Sequence, residues 1–232
     1  MFDKKDNILV VTAHPDDEVL GCGGAILIAK SIGCKVNLIC LGEGVSSRFK
    51  NYEDKRRLKA HKIRTKEFNL CINKLNLDDY ILDSRLCNQF DKLGLLSIAQ
   101  SIEYAISKFK PNIILTHNQF EVNIDHIITY KAVEVAARPV KQNLIKKIYT
   151  FEIPCSGNWT LNEKFIPNTY LNIKSVWKKK IDAWKSYKNE IRPFPFPRSL
   201  RSLKVIAEYR GLQSGLELAE AFRLERSILS ND

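Results

Sequence analysis

The sequence predicts an α/β fold, a Rossmann-like, mostly parallel sheet flanked by helices and followed by a largely helical C-terminal third. Three observations predict it. Aliphatic runs at Ile8 to Val11, Lys35 to Leu41 and Asn112 to Thr116 lack a polar face, as strands buried on both sides require. Helix-like stretches separate these runs, the alternation that builds parallel βαβ units. With 232 residues and 44% apolar content, the chain can bury one substantial core, and residues 1–232 read as a single domain.

Taken in order, Ile8 to Val11 forms the first strand, and Pro15 then fixes φ and turns the chain away. Val19, Leu20, Ala25, Ile26, Leu27 and Ala29 suit a helix despite three glycines near its start. Gly33 turns the chain into a second buried strand, Lys35 to Leu41. The polar loop Gly42 to Arg48 lies at that strand's carboxyl end and can reach over a site. A highly charged helix follows from about Glu53 to Phe68, within which His61 is expected to be exposed and without function.

Ile81 to Leu86 follows a short strand-like segment. Leu96, Ala99, Ile102, Ile106 and Phe109 share one face of an amphipathic helix from Leu93 to Phe109, which Pro111 ends. After the strand at Asn112 to Thr116, a helix runs from about Asp125 to Ala137, and Lys147 to Ile153 reads as a further strand. An irregular section around Asn158-Trp159 and Phe165 to Asn168 could wall a pocket. Helices are expected at Val176 to Tyr187, Leu200 to Arg210 and Glu217 to Ile228, with Trp177, Ile181 and Trp184 in the core. Arg192 to Arg198 is too proline-rich for helix.

Lys and Arg outnumber Asp and Glu by 37 to 26, and the resulting +11 favours an anionic partner such as a nucleotide sugar. The basic residues read as spread along the chain, and the densest run, Lys178 to Lys180, as a solvated helix face. No nucleic-acid-binding module accompanies the charge, so a nucleic acid is not an expected partner. Six cysteines without a C-x-x-C pair read as buried thiols in a reducing compartment. No run approaches 18 apolar residues and no signal segment precedes the first strand, so the protein is expected to be cytoplasmic with no membrane span.

The chemistry concentrates in His14-Pro15-Asp16-Asp17-Glu18, immediately behind the first strand, where open α/β sheets place their ligands. Three adjacent carboxylates repel one another unless a cation or the helix N-terminus offsets their charge. A mixed His/Asp set suits catalytic zinc, which takes three protein ligands and a water, so another ligand must come from elsewhere. Of the four histidines, His117 and His126 follow a second strand end, where Asp125 stands beside His126. Neighbouring parallel strands would bring the two groups together.

Ala13-His14-Pro15-Asp16-Asp17-Glu18 followed by the distant Asp125-His126 resembles the PIG-L/LmbE-like zinc-dependent N-deacetylases. The resemblance runs from about Asn7 to Ile228. Gly44 to Arg48, Asp83-Ser-Arg85, Asn123 to His126, Ala137 to Pro139, Pro167-Asn168, Pro195 to Ser199 and Arg210-Gly211 look like the sugar and polysaccharide biosynthesis branch.

That resemblance implies His14, Asp17 and His126 as metal ligands, Zn²⁺ as the ion with Fe²⁺ or Mn²⁺ as substitutes, and Asp16 as general base. It implies Asp83 and Arg85 near the sugar hydroxyls and Asp125 orienting an imidazole. Asn123 stands where many relatives carry the histidine that stabilises the oxyanion, and Phe196 where family members commonly carry His. Arg48 reads equally as a substrate-binding cation or a surface arginine. With Arg85 and Arg198 it favours a phosphate-bearing carrier on an N-acetylated sugar. His117 is either an orienting residue or a core histidine, and Glu18 reads as structural. A homo-oligomer is compatible with this reading. The rivals are a non-catalytic sugar-binding protein that retains the metal site and an amidase acting on another conjugate.

Overall fold

The computed structural model of the chain describes residues 1–51, 53–139, 145–161 and 163–229. Seven strands form one sheet in the order β3-β2-β1-β4-β5-β7-β6. They are β1 (Asn7–Thr12), β2 (Lys35–Gly42), β3 (Asp79–Arg85), β4 (Ile113–His117), β5 (Lys147–Phe151), β6 (Thr169–Asn172) and β7 (Ala219–Ser227). The first five are parallel, and β7 runs antiparallel to both β5 and β6. Strand order reverses between β1 and β4, so the loops after these two strands diverge and leave a crevice at their carboxyl ends.

Alternate β1 residues feed two cores. Ile8 and Val10 pack toward α1 (Asp17–Ser31), α2 (Lys55–Leu75), α5 (Trp177–Trp184) and α6 (Leu200–Leu212). Leu9 and Val11 pack toward α3 (Leu95–Phe109) and α4 (Ile124–Ala136). All six cysteines are free and buried. Among the described residues, no helix is long and apolar enough to cross a membrane.

In the C-terminal third two of the expected helices are present as α5 and α6, and the last is not. Ala219 to Phe222 are buried, and within residues 217–228, expected as a helix, Ala219–Ser227 form β7 in the sheet. Glu, Leu, Ala and Arg favour helix intrinsically, but the free edge of β5 offers a ladder and an apolar face, and that tertiary context outweighs propensity. Lys180 is a second correction. It is only 5% exposed, and its ammonium donates to Glu220 at 2.7 Å and to the Leu20 carbonyl at 3.2 Å.

The reason lies in α1, which is apolar all round and kinks at Cys22 (φ −145°). The kink frees the N–H groups of Gly24 and Ala25, and the Glu220 carboxylate accepts both, at 2.6 and 2.8 Å. Gly24 is required there, since a Cβ would sit 2.8 Å from Glu220 Oε1 and 2.5 Å from Ile173 Cγ2. Lys180→Met is expected to destabilise the protein by about 3–5 kcal/mol, because it strands a buried carboxylate. Urea unfolding of the two proteins measures it.

Candidate metal centre and catalytic pocket

The crevice between β1 and β4 receives a cluster of buried titratable side chains, His14, Asp16, Asp17, His117, Asp125 and His126. His14 follows β1, His117 ends β4, and Asp125 and His126 open α4, whose N-cap Asn123 accepts the Asp125 N–H through Oδ1 at 2.9 Å. Asp16 precedes α1 with φ 117°, a left-handed conformation that a non-glycine residue holds at a cost. This turn sends Asp16 and Asp17 in different directions. The Asp17 carboxylate accepts the His14 N–H at 2.8 Å, while Asp16 faces the arginines across the pocket.

Three donor atoms converge. His126 Nε2 lies 3.3 Å from His14 Nδ1, and Asp17 Oδ2 lies 3.6 Å from His14 Nδ1 and 3.5 Å from His126 Nε2. A tetrahedral ion with bonds of about 2.0–2.2 Å needs ligands about 3.3–3.6 Å apart, so the set fits zinc. Asp17 Oδ1 is also buried without a hydrogen-bond partner, which an uncharged site would not tolerate cheaply.

Neighbouring groups prepare the imidazoles. His14 shares a 2.9 Å hydrogen bond from Nε2 to Asp125 Oδ2, which leaves Nδ1 for a metal. Asp125 is itself fixed by the N–H groups of Phe90 (3.0 Å) and Asn88. His126 Nδ1 pairs with Glu121 at 2.8 Å and turns Nε2 toward the site. His117 Nε2 accepts the Ala13 N–H at 3.0 Å, and its ring stacks on His126 with centroids 4.1 Å apart. His117, Glu121 and His126 form a second possible donor group, but the hydrogen bonds from Ala13 and to Glu121 already occupy two of its atoms.

The electrostatics follow from burial and charge. Burial pushes His126 down to about 4, which keeps its lone pair available. Burial opposes protonation of His14 as well, but the Asp125 hydrogen bond and the charges of Asp17 and Asp125 carry it up to about 9, so a metal must displace a proton there. Burial lifts Asp16 to about 6, against the pull of Arg198 and Arg64. A dication beside these groups would favour their deprotonated forms.

A match to the PIG-L family, the GlcNAc-PI de-N-acetylases, spans residues 9–137, more than half of the chain. The chain belongs to the PIG-L family. No curated protein matches it in sequence. Solved structures share its fold across nearly the whole length. N,N'-diacetylchitobiose deacetylase from Pyrococcus horikoshii is 18% identical with a TM-score of 0.72, over 94% of this chain and 82% of that one. The zinc-inhibited form of teicoplanin deacetylase Orf2 is 15% identical with a TM-score of 0.73, over 96% and 99%. GalB, the 4-carboxy-2-hydroxymuconate hydratase from Pseudomonas putida KT2440, is 21% identical with a TM-score of 0.72, over 97% and 98%. The fold therefore hosts deacetylases and a hydratase, and the chemistry must be argued from the residues.

The pocket of this PIG-L chain has a volume of about 160 Å³ and is lined by His14, Asp16, Arg48, Arg64, Asn88, Asn123 and Arg198 among others. Arg198 Nη1 donates to Asp16 Oδ2 at 2.9 Å, and Arg64 approaches the same oxygen at 3.4 Å. Glu190 gathers the arginines, pairing with Arg48 at 2.6 Å, Arg198 at 3.4 Å and Arg64. Asp83 and Arg85 stand apart from this lining, paired with each other and bonded to Ser101 on α3. Glu18 is buried, accepts the Tyr187 hydroxyl at 2.6 Å and the Asp16 N–H at 3.0 Å, and so braces the Asp16 turn. His61, expected to be exposed, is partly buried with Nδ1 3.5 Å from Glu43.

Arg64, Glu190, Glu121 and Asn88 belong to this site and are absent from the sequence-based candidates. Arg64 had a legible signal, since it shares the face of α2 that carries Phe68, Cys71 and Leu75. Asp125→Asn is expected to weaken zinc binding by about 10–100-fold by loosening His14, which a chelator-competition titration measures.

Proposed function

We propose that the protein is a zinc-dependent N-deacetylase that hydrolyses the acetyl amide of an amino sugar or sugar conjugate in bacterial glycan biosynthesis. The observation that carries this reading is that Asp16 and His14 line one polar pocket while the His14 imidazole converges with Asp17 and His126 in a possible donor group. A divalent ion held by those three residues would acidify a water and polarise the acyl carbonyl. Asp16 takes a proton from the attacking water and returns it to the leaving amine as the new C–O bond replaces the C–N bond. Arg198 and Arg64 hold the base in position through Oδ2. Asn123 commits Oδ1 to the α4 N-cap, so its amide N–H₂ is the group left to donate to the carbonyl oxygen.

Arg48, with a side chain 45% exposed at the pocket rim, and Arg198 supply positive charge for a phosphate-bearing carrier. Asp83 and Arg85 lie outside the pocket lining, so in this reading they contact a larger conjugate rather than the reacting amide. The test is acetate release from free, nucleotide-linked and lipid-linked N-acetyl sugars. Charged conjugates are expected to give the highest kcat/KM, because carrier binding energy positions the acetyl group. Equal values for free and phosphorylated sugars would refute the carrier, and no acetate from any of them would refute the deacetylase.

A further inference from the structure

The positive charge, which reads as dispersed along the sequence, is concentrated in the fold. From Lys55 to Leu75 eight Lys and Arg accompany one acid, Glu67, and from Lys174 to Lys188 six lysines accompany one, Asp182. These stretches carry +7 and +5, which together exceed the +11 of the whole chain, so the remainder is close to neutral. They are also neighbours. Lys74 of α2 donates to the Asp182 carbonyl at 2.9 Å and pairs with its carboxylate at 3.0 Å, and Asn189 just beyond α5 donates to Glu67 at 3.3 Å.

On α2 the cations divide by face. Arg57 and Arg64 are turned to Glu43 and to Asp16 and Glu190, and Arg56 is tied to Asp54. Lys55, Lys59, Lys62 and Lys66 recur every three or four residues, so they form one stripe along the helix. All four are exposed, and among the described residues none has an ion-pair partner. Leu58, Ile63 and Leu70 flank the stripe at 47%, 40% and 48% exposure. Lys178, Lys179, Lys185 and Lys188 are exposed on or just after α5.

We propose that the exposed face of α2 is a docking surface for an anionic lipid bilayer. A negatively charged leaflet attracts clustered lysines within a Debye length, and interfacial aliphatic side chains add burial that a purely electrostatic contact lacks. The residue types favour a bilayer over a nucleic acid. The stripe presents lysine, a hydrated point charge that snorkels to headgroups, with aliphatic neighbours, whereas the three arginines of α2, the type suited to phosphate and base recognition, are each tied to carboxylates. This inference is independent of the chemistry proposed for the pocket.

The test is co-sedimentation of the full chain with phosphatidylcholine vesicles, with and without phosphatidylglycerol, alongside binding to a mixed-sequence RNA duplex at the same salt. The protein should sediment with the anionic vesicles alone and be released as salt screens the charge. Lys59→Gln/Lys62→Gln/Lys66→Gln should partition about a hundredfold less, at roughly fivefold per lysine. Leu58→Ser/Ile63→Ser, with charge unchanged, should partition several-fold less. Thermal melts matching the parent protein keep both variants interpretable. Failure to bind anionic vesicles, full binding by either variant, or tighter binding to the RNA duplex would each overturn the proposal.

Discussion

Asp16→Asn is expected to retain its metal and its fold while losing about 10²–10⁴-fold in turnover, the usual contribution of a positioned general base. The amide keeps the shape of the carboxylate but cannot accept the proton of the attacking water. Its surroundings make the loss specific. Asp17, not Asp16, lies within 3.6 Å of the two donor imidazoles, so the variant leaves the proposed donor set in place. Arg198 and Arg64 lose charge complementarity, but Glu190 still holds both. Acetate release measured at equal metal content reads the effect, and an active variant would remove Asp16 from the chemistry.

His126→Ala carries the other large effect. His126 supplies one of three donors, and its Nδ1 is braced by Glu121 so that Nε2 faces the site. Removing it leaves two protein ligands, too few for a catalytic zinc site. Metal content should fall to background, and acetate release with it. Elemental analysis of the purified variant measures this, and undiminished zinc would transfer the ligand role to His117 or Glu121, the remaining members of the second donor group.

The parallel half of the fold was legible because β1, β2 and β4 are buried on both faces and their sequences are predominantly aliphatic. The strand β7 was not, since Glu217 to Ile228 suits a helix on propensity and becomes a strand only because β5 presents an open edge. At the site, His14, Asp16, Asp17, Asp125 and His126 stood out because two strand ends each place His beside Asp. The partner of Asp125 could not be read from spacing, and the structure gives it as His14. Glu190 gave no signal at all. It lies between helices in an irregular stretch, and only the tertiary fold brings Arg48, Arg64 and Arg198 onto it.

Lys180 shows the same limit from the other direction. Three consecutive lysines look like a solvated face, but Lys180 is drawn inward by a carboxylate 40 residues away that the α1 kink requires. Local charge density cannot report a partner that arrives from a distant strand.

The most direct test of the account is a paired assay of acetate and free amine from an N-acetyl sugar conjugate, before chelation, after it, and after zinc is restored. Equal amounts of the two products are expected, lost on chelation and returning with zinc. Acetate release that survives complete removal of the metal, or a metal-replete protein that forms neither product from any conjugate tried, would contradict the account.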